Sequence, residues 1–346
     1  MSKKAQKIAV PLISVVLGII LGAIIMLIFG YDPLWGYEGL FQTAFGSIKN
    51  IGEIFRAMGP LILIALGFSV ASRAGFFNIG LPGQALSGWI AAGWFALSHP
   101  DMPRPAMILC TIIIGIVAGG ITGAIPGILR AYLGTSEVIV TIMMNYIVLY
   151  SGNAIVQRVF PKSIMRTSDS SVYVSANASY QTDWLSSLTN NSRINIGIFI
   201  AIIAVVLVWF LLNKTTLGFE IRSVGLNPNA SEYAGMSAKR TIILSMIISG
   251  AFAGLGTFEN VFVQPSSLAI GFDGMAVSLL AANSPIGILF AAFLFGVLSV
   301  GAPGMNIAGI PPELIKVVTA SIIFFVGVHY IIEYVIKPKK QMKGGK

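Results

Sequence analysis

Residues 106–129 read AMILCTIIIGIVAGGITGAIPGIL, a run with no Asp, Glu, Lys or Arg, closed on its two sides by Arg104 and Arg130. A stretch of 18 or more apolar residues matches the roughly 30 Å hydrocarbon core of a bilayer, so this run reads as a membrane-spanning helix. Gly115, Gly119 and Gly123 recur at every fourth position within it. Small residues at that spacing let helix backbones approach closely, which marks the stripe as a helix–helix packing surface. Working outward, the same charge-free pattern returns at 8–31, 57–72, 138–157, 194–212, 241–258 and 285–312. Hydrophobic types make up 55% of the chain and charged types only 10%, against about a quarter charged in a soluble domain. The fold class is therefore all-α and polytopic, with helices ordered by lipid.

Ten membrane segments are expected: 8–29, 57–72, 79–97, 106–129, 138–157, 194–212, 241–258, 272–283, 285–302 and 312–335. Segment 57–72 is short for a bilayer and 272–283 too short for a simple spanning helix. Both lie beside Gly-rich turns, which predicts broken or re-entrant segments. Lys3, Lys4 and Lys7 precede 8–29, a run too long for the apolar region of a secretory signal, so it reads as an uncleaved first helix. Ten crossings with an inner N-terminus put both termini inside and place 14 of the 22 basic residues on that side, in agreement with the positive-inside rule. The net charge of +9 thus reflects orientation and not a nucleic-acid partner. Gly75-Phe76-Phe77-Asn78-Ile79-Gly80 and Gly271-Phe272-Asp273-Gly274-Met275-Ala276 follow segments 2 and 7. On this topology they lie on opposite faces, which suggests an inverted repeat of segments 2–5 and 7–10. The whole chain, 1–346, reads as one transmembrane domain with an extra first helix, an outer loop at 158–193 and an inner loop at 213–240.

Few residues could carry chemistry. There is no G-x-x-x-x-G-K-[ST] phosphate loop. His99, His329 and Cys110 stand apart from any metal-ligand spacing, so neither a catalytic residue nor a metal site is expected. A secondary carrier working alone would need ionisable residues in mid-helix, and Glu137, Glu259 and Asp273 all lie near segment ends. Transport is then passive or powered by another subunit. The inner loop bears on this choice. Asn227 is a candidate N-cap, Pro228 suits the first helical position and Gly235 the left-handed C-terminal turn, giving a helix over 228–234. Ala230, Tyr233 and Ala234 share one side of it. So short a helix needs a surface to dock on, either a partner's cleft or the chain's own bundle.

The segment NPNASEYAGM at 227–236 resembles the coupling helix of ATP-driven importer permeases. GFFNIGLPGQ at 75–84, TSEVIVTIMMNYI at 135–147 and GFDGMAVSLLAANSPIG at 271–287 are similar to motifs of the branched-chain amino acid, ribose and nucleoside permease family, most like its nucleoside branch. The resemblance covers about residues 56–335. It departs from the usual pattern at Asn229 and Glu232. The resemblance implies a permease that is no enzyme and holds no cofactor. ATP and Mg would be bound by separate ATPase subunits that dock on Asn227, Pro228, Ala230, Tyr233, Ala234 and Gly235. A second, non-identical permease, with this chain the larger of the two, and an extracytoplasmic binding lipoprotein would complete an importer in a bacterial cytoplasmic membrane. The solute would be a nucleoside; ribose or another simple sugar, or a branched-chain amino acid, is the alternative within the class.

Six polar residues are candidates for the translocation pathway. Asn78 and Gln84 flank the first Gly-rich break and could either tie it down or point into the pore. Asn145 and Tyr146 sit mid-segment, where an amide and an aromatic ring suit a base and its ribose, or bind helices together. Asp273 reads as a cap at the head of segment 8. Glu259 is open between a pairing and a pathway role.

Overall fold

A computed structural model describes residues 3–167, 170–256 and 269–327. In chain order the helices are α1 (Lys3–Ile28), α2 (Pro33–Phe45), α3 (Ile48–Arg73), α4 (Leu81–Ser98), α5 (Arg104–Leu133), α6 (Glu137–Arg158), α7 (Asp183–Leu188), α8 (Gly197–Lys214), α9 (Thr216–Leu226), α10 (Pro228–Tyr233), α11 (Ala238–Leu255), α12 (Ala269–Leu280), α13 (Pro285–Ile307) and α14 (Pro312–Gly327). Among the described residues no strand forms. Among the described residues six helices, α3, α5, α6, α8, α11 and α13, are long and apolar enough to cross a membrane, and α12 and Val15–Ile28 are shorter apolar helices. The chain is a polytopic helical membrane protein.

It divides into two compact units. The first combines the chain up to Ile54 with the chain from Val297 onward. There α1 packs along α14, and a Cβ added to Gly18 would sit 2.6 Å from the Ile322 Cα, so these backbones touch. The Tyr37 hydroxyl of α2 donates to the Ile19 carbonyl of α1 at 2.6 Å.

The second unit is Phe55–Gly296. Its central crossing is the seam of α5 on α11. A Cβ on Gly119 would lie 2.9 Å from the Gly254 Cα and would overlap the Gly250 carbonyl oxygen. The Gly115, Gly119, Gly123 stripe is thus a backbone-to-backbone contact, as small-residue spacing implies. Helix α4 reaches the same place, where a Cβ on Gly88 would meet the Gly254 Cα at 2.6 Å. Nearby, Ile64, Phe68, Leu81, Ala85, Ala253 and Met275 bury one another. From the 158–193 loop, Ile164, Met165, Val172 and Val174 cover a further cluster built on Trp89, Leu97, Val156 and Phe160. The loop is tied to α5 by the Thr111 and Tyr180 hydroxyls, 2.8 Å apart. Burial pushes the Tyr180 hydroxyl up to about 12.

Three expectations are corrected. Segment 57–72 is no short or re-entrant piece but part of α3, 26 residues long. The expected start was set where charge ends, yet Lys49, Glu53 and Arg56 are good helix formers that extend the helix beyond the apolar run. The stretch 30–56, read as a connection, contains α2, headed by Asp32, whose carboxylate accepts from Leu34 N at 2.8 Å, and by Pro33 at the first position. Asp273 does not cap its segment. It stands within α12, and Phe272 and Asp273 are exposed. Helix α12 is described over Ala269–Leu280.

Candidate translocation and coupling sites

The 213–240 loop forms two consecutive capped helices. Thr215 Oγ1 accepts from Gly218 N at 3.1 Å to start α9. Asn227 ends α9 and starts α10, its Oδ1 accepting from Ala230 N at 3.1 Å. At the far end Met236 N donates to Ser231 O at 3.0 Å and Gly235 N to Glu232 O at 2.9 Å. This is the paired C-terminal motif that requires a left-handed residue, and Gly235 supplies it at φ +83°. Ser231 is buried and faces inward, while Ala230, Tyr233 and Ala234 are exposed. The Tyr233 side chain is 95% exposed and Leu226, one residue before the cap, 88%. Leu226 was not singled out in the sequence, where it reads as the last apolar residue of a turn. Behind this surface, Gly225 presses on the end of α3. A Cβ there would overlap the Arg73 carbonyl, and one on Gly75 (φ +84°) would lie 3.3 Å from the Gly225 Cα.

The break between α3 and α4 therefore begins where α9 ends. Its interior is held by amides. Asn78 is fully buried and donates to Gln84 Oε1 at 2.9 Å and to Ser249 Oγ of α11 at 2.8 Å. Asn78 Oδ1 accepts from Gly80 N at 2.9 Å and from Gln84 Nε2 at 3.2 Å. From α6, Asn145 accepts from Gly83 N at 2.8 Å and donates to Ile79 O at 2.9 Å. Irregular backbone at membrane depth must be satisfied by protein groups, and these three side chains do that. Ser249 was missed in the sequence. A hydroxyl inside an apolar helix is the only signal it gives.

Tyr146 is 52% exposed on α6, a helix whose apolar window is only 22% buried, against 83% for α3. Glu137 pairs with Arg130 at 3.5 Å across the α5–α6 turn. Glu259 lies outside the described residues. Helices α4, α5 and α6 border an open cavity of about 410 Å³ whose walls include Ser87, Trp94, Thr122, Ser151 and Phe160.

The family of permease components of branched-chain amino acid transport systems matches residues 50–327. The chain belongs to this family. The permease is 58% identical to the nucleoside ABC transporter permease NupB of Lactococcus lactis subsp. cremoris, over 99% of its own length and 97% of the relative's. It is 43% identical to the guanosine ABC transporter permease NupP of Bacillus subtilis, over 99% of both chains. A second Lactococcus lactis chain, the nucleoside ABC transporter permease NupC, is 23% identical over 72% of this permease and 81% of its own length. No solved structure matches the permease.

Proposed function

We propose that this chain is the larger permease subunit of an ATP-driven importer that carries nucleosides across a bacterial cytoplasmic membrane. The observation that carries the solute class is the full-length likeness to NupB and NupP, a nucleoside and a guanosine permease. The importer holds two non-identical permeases, a reading supported by the distant likeness to NupC of the same organism as NupB. Separate ATPase subunits bind ATP and Mg, and a binding lipoprotein delivers solute from outside. The chain forms one permease domain, 1–346, that crosses the membrane ten times with both termini inside. Segments 2–5 and 7–10 are inverted repeats.

Coupling runs through α10. Asn227, Pro228 and Gly235 build it, and Ala230, Tyr233 and Ala234 form the face that enters the ATPase. The contact of Gly225 with Arg73 supports a path for movement from α9 to the break that Asn78, Gln84 and Asn145 hold. Tyr146, Asp273 and Glu259 remain candidates for the pathway, and this chain supplies no catalytic group.

The test is uptake by the complete system. Radiolabelled uridine and adenosine should enter cells in an ATP-dependent manner and compete with each other, with ribose and leucine without effect. Competition by ribose or leucine, with nucleosides inert, would overturn the solute class. Transport by the single purified chain without ATP would point to a secondary carrier.

A further inference from the structure

The cavity between α4, α5 and α6 has a composition that packing alone does not require. Its volume of about 410 Å³ lies in the range of small-molecule sites, about 300–1,000 Å³. Most of the wall is apolar, yet three hydroxyls from three helices, Ser87, Thr122 and Ser151, converge on it. Ser87 Oγ donates to the Gln84 carbonyl at 2.8 Å, and Ser151 Oγ to the Ile147 carbonyl at 2.6 Å. Thr122 Oγ1 stands 2.8 Å from the Ala118 carbonyl and 2.9 Å from Ser87 Oγ. Each hydroxyl proton is thus directed at protein, which leaves the oxygens as acceptors. A ligand suited to this wall brings hydroxyl or N–H donors on one edge and flat apolar area on the rest. Trp94 and Phe160 supply aromatic surface on the same cavity, and aromatic faces favour stacked or edge-on rings.

The location fits an entering solute. Trp94 lies near the end of α4 at Ser98, and Phe160 just beyond the end of α6 at Arg158. In the proposed topology both ends lead outward, toward the side of delivery.

The geometry points to this cavity as the transit site for the nucleoside, with sugar hydroxyls donating to Ser87, Thr122 and Ser151 and the base set against Trp94. This rests on the nucleoside reading above and adds the residues that hold the solute. It also gives Gln84 an indirect part, since its carbonyl orients the Ser87 hydroxyl.

The experiment uses the complete importer, with both permeases, the ATPase and the binding lipoprotein, in proteoliposomes. 8-Azidoadenosine, photolysed during turnover, should label peptides of α4, α5 or α6 that line the cavity, and unlabelled adenosine but not leucine should suppress the labelling. Thr122→Val keeps the side-chain shape and removes one acceptor, so maximal adenosine uptake should fall about threefold to tenfold, with expression unchanged. Trp94→Ala should reduce uptake at least as much, and Trp94→Phe should restore part of it. Labelling confined to other helices, or wild-type uptake by both Thr122→Val and Trp94→Ala, would overturn the site. So would an acyl chain found by mass spectrometry to remain in the cavity during turnover. A wild-type complex that imports no nucleoside overturns the solute class and this site together. Full import by the two variants overturns the site alone.

Discussion

Replacing Tyr233 by alanine separates fold from coupling, because the side chain is 95% exposed. It has almost no internal contact to lose, so the permease itself should change in stability by no more than about 0.5 kcal/mol, as at other exposed positions. Seated in an ATPase cleft, a tyrosine buries about 150–250 Å². At about 25 cal/mol per Å² this is worth about 4–6 kcal/mol before ordering and desolvation are subtracted. A buried interface aromatic typically retains about 2 kcal/mol or more after those costs. The expected outcome is an affinity for the ATPase subunit about 30-fold weaker and uptake reduced in proportion, with the melting temperature of the permease unmoved. Titration of the purified ATPase against wild-type and Tyr233→Ala permease measures the first, and thermal unfolding of the permease alone the second. Unchanged ATPase affinity would show that α10 is only a surface helix. A large fall in melting temperature would show that Tyr233 is internal.

Three further outcomes are expected. Gly119→Leu should force α5 from α11, because even a Cβ at Gly119 overlaps the Gly250 carbonyl. Overpacking of about 1–3 kcal/mol or more should appear as lower folded yield in detergent, and a yield equal to wild type would contradict the seam. Asn145→Leu leaves Gly83 N and Ile79 O without their partner, at about 1–3 kcal/mol for each stranded group. Thermal unfolding should register that loss, and an unchanged melting temperature would mean that other groups satisfy the break. With Cys110 replaced by Ser, a cysteine introduced by Asn229→Cys should react with impermeant maleimide only in inside-out vesicles. Reaction in intact cells would reverse the proposed orientation.

Much of this protein follows from local sequence. A charge-free run longer than a bilayer is thick can only be satisfied as a helix in lipid, since every backbone group must then bond within its own segment. Runs such as 106–129 therefore decided class and element type without any tertiary information. The short helix of the 213–240 loop was equally legible. Asn227, Pro228 and Gly235 act on backbone groups two to four residues away, and α10 starts and ends where those three residues direct. Even the α5–α11 contact left a trace, because close backbone approach requires small residues and their spacing records the face.

The tertiary structure alone decided the rest, and sequence separation is the reason. Asn78 lies 171 positions from the Ser249 it donates to, and Asn145 62 from the Gly83 it accepts from. An amide in an apolar run declares that it needs partners, but helix packing chooses them. The extent of α3 was hidden because a hydropathy boundary records where lipid ends, whereas a helix continues for as long as its residues favour it. The cavity was hidden for a similar reason. Ser87, Thr122 and Ser151 occupy three separate helices, and each alone resembles a hydroxyl bonded back to its own turn. Only the crossing of α4, α5 and α6 turns those three oxygens toward one space.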